Sequence, residues 1–584
     1  MTKQVKSRQR VADHGEVFTA EREVNAMLDL VKQETERVDS RFLEPACGDG
    51  NFLSEILRRK LEAAKKRAMP PRKKRPLPIE FEKQSVIAVS SVYGVDLLLD
   101  NVLACRRRLY DIWNAEYEAV CRGEVSEERR EAVRFILSRN IVCGNALSLK
   151  AADENGSDTD EPIVFSEWSF VTGTKMQRRD FRFDKLLAGE YGASATRKKR
   201  ADAFDVIIGN PPYQLSDGGG GAGRSAAPVY HFFVQQAKRL NPRYVSMIIP
   251  SRWFNGGKGL GGFRQSMLND GRMAKIVDYA DSRDCFKGVD IPGGVCYFLW
   301  DNRHQGTCAV TNVAKDGSTD TEERALNEFD TFIRQNRAVG IVKKAQARGE
   351  TMMSEMVSSR KPFGLESKQT FDANGDIVLR SSAGIGKVLR SRLLSGFDLV
   401  DKWKVIVSKV AFEHAGVPDK EGKMRVLSVV QKLAPLSACT ESYLVAGAFD
   451  SEGEADHLLA YLNTKFARFL IMQMLASMNM SRSSYSFVPV QSWEKAWSDE
   501  ELYDKYGLSD DEIAFVEHMI RPMPPCAPAA SNSVKVCSSM GFVSVLPPIE
   551  LPPAGGAGLR PGPRSGCLRG RSRFPRRGPS APWR

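Results

Sequence analysis

Asn210, Pro211, Pro212 and Tyr213 follow directly on an apolar run, Phe204, Val206, Ile207 and Ile208, that Gly209 stops. The run reads as a buried strand. Two prolines then forbid any continuing ladder, because neither has a backbone N–H and each locks φ. What remains at the strand end is a rigid knuckle that holds a side-chain amide, a carbonyl and a flat aromatic ring. Its bland alternative is a tight proline turn that only caps the strand. A second stretch, EPACGDGNF (44–52), is a strand-to-helix glycine turn. Gly48 and Gly50 let the backbone approach a ligand closely, and the helix that follows offers free N–H groups. The pattern is neither GxGxxG nor a P-loop, and the lack of GK[ST] argues against a nucleoside triphosphate. Asp96 ends the β-branched stretch SVIAVSSVYGVD (85–96), which reads as a strand. Its carboxylate stands where a ribose diol would donate hydrogen bonds, although alone it reads more often as a solvated strand-end residue. Asn145 closes a fourth stretch of this kind, NIVCGN.

Other chemistries find little support. The eleven cysteines and six histidines are scattered, with no CxxC pair and no HExxH, so neither a disulfide framework nor a metal site is indicated. The thiols suit a reduced, cytoplasmic setting. LESK (365–368) offers the last element of a PD…(D/E)xK nuclease, but no suitably placed acid and strand precede it. No apolar run approaches the length of a membrane span, and the basic N-terminus lacks the apolar stretch of a secretory signal. The net charge of +13 and pI near 9.1 favour a polyanionic partner. Residues 524–584 hold nine Lys/Arg against one Glu, a surplus of +8. The run RRKLEAAKKRAMPPRKKR (58–75) has ten basic residues and one acidic. It reads equally as a solvated helix face with a proline-broken loop, or as a phosphate-contacting segment.

Strand and helix signals alternate through the first half. EREVNAMLDLV (21–31) has helical spacing with Thr19 as a cap; FLE, the residues before Asp96, NIVCG, FDVIIG, YVSMIIP, AKIVDYA and VCYFLWD read as strands. Such alternation predicts an α/β domain with a mostly parallel sheet, in which ligands sit at the carboxyl ends of the strands. The glycine turn, Asp96, Asn145 and the 210–213 knuckle each follow a strand, so all four are expected on one rim. Beyond about residue 330 the alternation fades. One apolar-striped helix is expected near 456–479, and the Pro/Gly/Arg-rich composition after Met523 reads as disorder.

Taken together, these motifs resemble the S-adenosylmethionine-dependent DNA methyltransferases that modify the exocyclic amino group of adenine. FTAEREV (18–24) looks like their N-terminal cofactor motif, EPACGDGNF like the cofactor glycine loop, GVD (94–96) like the ribose motif and NPPY (210–213) like the catalytic tetrapeptide. Their order is the γ arrangement, as in TaqI-type enzymes of restriction–modification systems. The resemblance spans roughly 16–310 and extends toward 523 through RSSYSFVPVQ (482–491). It implies a Rossmann-like class I methyltransferase domain over 1–325, a mixed α/β target-recognition domain over 326–523 and a basic tail over 524–584. Thr19, Glu44, Ala46, Gly48, Gly50, Asp96 and Asn145 would bind S-adenosylmethionine, Glu44 near the methionyl amine and Asp96 on the ribose. Asn145 stands where the family often has Asp beside the cofactor's adenine. Asn210, Pro211, Pro212 and Tyr213 would be catalytic, with Phe286 as a second aromatic against a flipped base. No metal is implied.

In that setting the knuckle has a chemical reason. An adenine amino nitrogen is a poor nucleophile, because its lone pair is delocalised into the ring. The Asn210 oxygen and the Pro211 carbonyl would each accept one of its N–H bonds, and the prolines would hold both acceptors in place. Tyr213 would stack on the extruded base. The glycine-rich segment 218–223, between Asp217 and Arg224, reads as a flap beside the base pocket or as a plain linker. KMQRRDFRFDKLL (175–187) reads as a surface insertion that could also meet phosphates. The expected partner is double-stranded DNA, with a separate cognate restriction endonuclease and no membrane. The same chemistry on ribosomal RNA or a protein glutamine is the alternative. A non-catalytic DNA-binding subunit is a third reading, against which the intact tetrapeptide speaks.

Overall fold

The computed structural model describes residues 19–523, apart from 173–174, 189–203, 215–226, 258, 287–288, 413–418, 420 and 476–478. The glycine-rich segment 218–223, with Asp217 and Arg224, and the 524–584 tail lie outside the described residues.

The chain opens with helix α1 (Glu21–Asp29), which buries Val24, Met27 and Leu28. Ala20, not Thr19, is its N-cap residue, and no side chain caps it. Strand β1 (Phe42–Glu44) then leads through the glycine turn into α2 (Asn51–Arg67). Helix α3 (Pro78–Ser90) precedes β2 (Val92–Asp96). The expected strand over 85–96 is therefore corrected: its first six residues are helical. Proline at the start of α3 and buried Phe81, Ser85, Ala88 and Val89 at helical spacing explain why. Packing against α2 overrides the β-propensity of Val86, Ile87 and Val89. Helices α4 (Leu99–Cys121) and α5 (Glu127–Asn140) lead to β3 (Ile141–Asn145).

Short strands β4 (Lys150–Ala152) and β5 (Asp158–Pro162) extend one edge, and β6 (Val164–Thr172) pairs with β7 (Lys175–Arg182) as a separate hairpin. The 210–213 knuckle follows β8 (Val206–Gly209). Helix α6 (Tyr230–Arg239), β9 (Tyr244–Pro250), β10 (Met273–Tyr279), β11 (Val295–Asp301), β12 (Cys308–Val313) and β13 (Thr319–Arg324) complete the first half.

Among the described residues eleven strands form one sheet, in the order β13-β12-β10-β11-β9-β8-β1-β2-β3-β4-β5. Strands β3, β2, β1, β8 and β9 are parallel neighbours, and β11 runs antiparallel to both β9 and β10. The mostly parallel α/β fold expected from the sequence is thus what forms. Both faces of β1, β8 and β9 are buried throughout, as expected for strands covered by helices on each side. From β1 the chain winds outward through β2 and β3, then returns to β8 on the other side of β1. The crevice at the carboxyl ends of β1 and β8 is therefore the topological switch point, where doubly wound sheets bind their ligands.

One buried apolar cluster runs from Val24 to Phe332 and a second from Ile333 to Ile520, with a smaller third around Ile377 and Leu379. The later half holds strands Ile377–Ser381, Gly384–Val388, Trp403–Ser408, Val430–Leu433, Ser437–Cys439 and Tyr443–Phe449, arranged in two three-stranded sheets. The expected helix near 456–479 is two helices, Glu452–Asn463 and Lys465–Gln473. Thr464 breaks them: its hydroxyl accepts from Ala467 N at 3.2 Å, while Asp499 accepts from Lys465 N and Phe466 N at 3.0 and 2.9 Å. No helix among the described residues is long and apolar enough to cross a membrane.

Candidate active site

Glu44, Asp96, Asn145 and Gly209 are the last residues of β1, β2, β3 and β8. One pocket at the switch point brings Glu44, Asp96 and Asn145 together with Thr19, Ala46, Gly48, Asn210 and Pro212. Gly50, Pro211, Tyr213 and Phe286 stand outside this lining.

The glycine turn is held open by its own backbone and by Asp96. Gly48 and Gly50 have φ of 52° and 88°, the left-handed region that side chains disfavour. Gly48 N donates to Asp96 Oδ2 at 2.8 Å, and Cys47 N donates to Val95 O at 2.9 Å. Asp96 Oδ1 accepts from Leu98 N at 2.9 Å and Asn101 Nδ2 at 3.1 Å. Asp96 thus latches the glycine turn to the loop after β2. Asn51 Nδ2 donates to Thr19 O at 3.2 Å and so ties the N-terminal segment to the same turn.

Two polar atoms in the pocket call for a ligand. Thr19 Oγ1 and Glu44 Oε2 are buried with no hydrogen-bond partner among the described residues. Such a buried orphan costs about 1–3 kcal/mol. Burial pushes the Glu44 carboxyl well above its ordinary pKa, and Cys105, Asp96 and Asp49 nearby push the same way. A cationic group with N–H donors would reverse that cost. The donor set therefore fits an ammonium-bearing ligand, with glycines under its backbone side.

Asn145 is less available than its position suggests. Its Oδ1 accepts from Leu147 N at 3.0 Å and Ser148 N at 3.4 Å, and its Nδ2 donates to Asp158 Oδ1 at 3.0 Å. It shapes the turn that puts Ala146 and Leu147 on the pocket wall.

The tetrapeptide divides into two parts. Asn210 and Pro212 face the pocket, while the Tyr213 ring is 9% exposed. Tyr213 lies edge-on to Phe286 and to Tyr230, each at 6.5 Å between ring centroids. Its hydroxyl is buried without a partner among the described residues, and burial holds its pKa well above the usual phenol value. Phe286, chosen from a motif far along the sequence, is thus brought to the knuckle's aromatic.

Several pocket residues were not found from sequence. Leu97 and Leu98, an apolar pair directly after the strand-end acid, are the signal that was available; Asn101 and Phe233 offered none. The two basic segments lie apart from the pocket or are neutralised. Helix α2 starts at the glycine turn and runs 17 residues toward the opposite rim, so the 58–75 run begins about 10 Å along it and continues past its end. Lys60 is buried, donating to Ser91 Oγ at 2.5 Å, with its pKa lowered to about 7 by burial. In the 175–187 segment Arg178, Arg179 and Arg182 pair with Asp180, Glu167 and Asp184 at 3.2, 2.6 and 2.6 Å. Phe165 and Phe181 of this hairpin pack against Tyr93, as a surface insertion would.

Comparison with known proteins bears on the same residues. Residues 90–286 match the Eco57I restriction-modification methylase family. The match includes Asp96, Asn145, Asn210–Tyr213 and Phe286, and the glycine turn lies before it. An uncharacterized adenine-specific methylase of Mycoplasma pneumoniae is 27% identical over 336 residues, 56% of this chain and 76% of its own. The type IIL restriction-modification enzyme MmeI, in complex with DNA, aligns with a TM-score of 0.43 and 10% identity over 82% of this chain and 69% of its own. A nuclease-deletion mutant of the type ISP restriction-modification enzyme LlaGI, in complex with a DNA substrate mimic, aligns with a TM-score of 0.43 and 11% identity. That alignment covers 80% of this chain and 45% of the other. Residues 90–286 are thus similar to a restriction–modification methylase.

Proposed function

We propose that this chain is a site-specific adenine methyltransferase, moving a methyl group from S-adenosylmethionine to the 6-amino group of adenine in duplex DNA. One observation carries the reading: Asn210 of the catalytic tetrapeptide lines the same switch-point pocket as Thr19, Glu44, Gly48 and Asp96. When bound, S-adenosylmethionine supplies an electrophilic methyl group on a sulfonium centre. Thr19 and Glu44 would hold its methionyl end, the Gly48 turn its backbone side, and Asp96 with the Leu97–Leu98 wall its nucleoside.

The knuckle acts on the nucleophile. The Asn210 oxygen and the Pro211 carbonyl accept the two N–H bonds of the adenine amino group and draw its nitrogen toward tetrahedral geometry. Because both acceptors are fixed before the base arrives, little reorganisation is needed at the moment of reaction. The Tyr213 ring, backed by Phe286, offers a face for the extruded base. Residues 1–325 form the cofactor-binding and catalytic domain and 326–523 the target-recognition domain. The separation of buried clusters between Phe332 and Ile333 supports that division. The enzyme serves as the modification component of a restriction–modification system in the cytoplasm, beside a separate endonuclease cognate to the same site.

Two measurements test this. Single-molecule sequencing of DNA from cells expressing the protein is expected to show N6-methyladenine at one recurrent sequence. Methyl label found in ribosomal RNA or protein, with none in duplex DNA, overturns the reading. The second concerns Glu44. Binding a cation favours the carboxylate, so a carboxyl held protonated in the free protein releases its proton on binding. Affinity for S-adenosylmethionine should therefore tighten as pH rises above the ordinary carboxylate range toward the raised pKa of Glu44, by at most about tenfold per unit. The free protein's stability should fall over the same rise, because the folded state binds the proton more tightly than the unfolded chain. Calorimetry in buffers of different ionisation enthalpy reads the released proton. A buffer-independent enthalpy, or equal pH dependence in Glu44→Gln, rejects the assignment.

A further inference from the structure

Strand β9 lies beside β8 in parallel, with Gly209 opposite Met247, so the turn after β9 leaves the same rim as the catalytic knuckle. That turn is Ser251–Trp253. Its backbone is held firmly. Ser251 N donates to Gly294 O at 3.0 Å, and Ser251 Oγ donates to Asp278 Oδ1 at 2.8 Å. Asp278 is itself clamped by Arg334, at 2.5 and 2.9 Å, and Trp253 is fully buried.

Between these anchors stands Arg252. It lines a cavity between the two halves of the chain, with Asn255 and Ala280 from the first and Gln335, Met424, Met472 and Met519 from the second. It is half-buried, yet it makes no ion pair and donates no side-chain hydrogen bond among the described residues. Arg334, on the same cavity, is by contrast paired with Asp278. A guanidinium drawn partly out of water with no counter-charge is costly, and a planar fork of donors suits a phosphate oxygen pair. The position relative to the base site is also suitable. Tyr230 lies edge-on to Tyr213 at 6.5 Å, and burial raises the Tyr230 pKa while the neighbouring Arg252 charge opposes the rise.

We propose that Arg252 holds a backbone phosphate of the DNA strand that presents the target adenine, clamping it beside the Asn210–Tyr213 knuckle. The inference rests on the function proposed above and adds a substrate-holding residue to it. It predicts that one phosphate near the target has its negative charge read by a single arginine.

The experiment uses the full chain, with Arg252→Met and Arg252→Lys, on duplexes containing the mapped site. A neutral methylphosphonate replaces each phosphate flanking the target adenine in turn. On native DNA Arg252→Met should lose about 10–100-fold in kcat/KM, as for one hydrogen-bonded charge. One methylphosphonate position should impose a similar loss on the wild type and no further loss on the Met variant. The slope of log affinity for DNA against log salt should shrink by about 0.9 in the Met variant and stay near wild type in the Lys variant. S-adenosylmethionine affinity and the thermal transition should match wild type in both. If the wild type methylates the duplex but the Met variant is unimpaired, the inference is overturned alone. The same holds if the two penalties multiply at every phosphate. If the wild type methylates no duplex, the proposed function fails, and the clamp with it.

Discussion

Asn210→Ala lowers the single-turnover rate of methyl transfer by about 10²–10³, equivalent to roughly 3–4 kcal/mol of lost transition-state stabilisation. The expectation follows from what surrounds the residue. Asn210 lines the pocket, Pro211 and Pro212 restrict the backbone after it, and Gly209 fixes the backbone before it. Gly209 has φ of 155°, and a Cβ there would come within 3.1 Å of Glu44 Cγ. The amide therefore arrives at the reacting nitrogen from a stiff support packed against the cofactor side. Removing it deletes an acceptor without disturbing Thr19, Glu44 or Asp96, so S-adenosylmethionine affinity should stay within about threefold, well under 1.4 kcal/mol. Asn210→Gln keeps the amide but moves it by one methylene, and a displacement near 1 Å can cost about 10² in rate. Tyr213 separates stacking from hydroxyl chemistry. Its hydroxyl has no partner among the described residues, so Tyr213→Phe should remain active. Tyr213→Ala should lose about 1–3 kcal/mol of base capture. Single-turnover transfer, with 2-aminopurine fluorescence at the target position reporting extrusion, measures all four variants. Near-normal rates in Asn210→Ala would remove the amide from the mechanism.

What the sequence made legible, and what it hid, divide along physical lines. Strands β1, β8 and β9 are buried on both faces, so each is a continuous apolar run, and the polar or glycine residue that ends it stands out. That contrast marks Glu44 and Asn210, and the same strand-end position marks Asp96 and Asn145 on the same rim. Helix α3 was hidden because Val86, Ile87 and Val89 favour strands locally, and only packing on α2 decides otherwise. Thr19 was expected to cap α1; its buried hydroxyl instead faces the pocket, a distinction that depends on the chain's entry angle. The Asp96 latch on Gly48 joins residues 48 apart, and Arg252 depends on a cavity walled by Met424 and Met519. Neither has a local pattern. The later half was opaque for another reason. Its strands are short and its helical stripe runs unbroken through Thr464, where the break is made by a hydroxyl and by distant Asp499 rather than by a change in hydrophobic period.

Gly50→Ala should damage both stability and cofactor binding, through two separable costs. Gly50 stands at the start of α2 with φ 88° and ψ 39°, a left-handed conformation that costs an L-residue about 1–2 kcal/mol. An added Cβ would also sit 2.6 Å from Cys105 Sγ, on a fully buried residue of α4. Relieving that overlap moves either α4 or the glycine turn, a strain of about 1–3 kcal/mol. The turn is the softer of the two, since its hold on the sheet includes the Gly48 N to Asp96 Oδ2 bond. Moving it pulls that donor away, and S-adenosylmethionine affinity should fall at least about tenfold, or 1.4 kcal/mol. Cys105→Ala removes the sulfur and leaves the backbone problem. The double variant should thus regain the steric part, leaving about 1–2 kcal/mol of backbone cost, so that the two sites couple by roughly 1–3 kcal/mol. Urea denaturation gives the stability arm of this cycle and calorimetry the binding arm. Costs that simply add would mean that Cys105 does not press on the turn. Unchanged cofactor affinity in Gly50→Ala would mean that the turn can move without the ligand noticing, and the glycine would then serve folding alone.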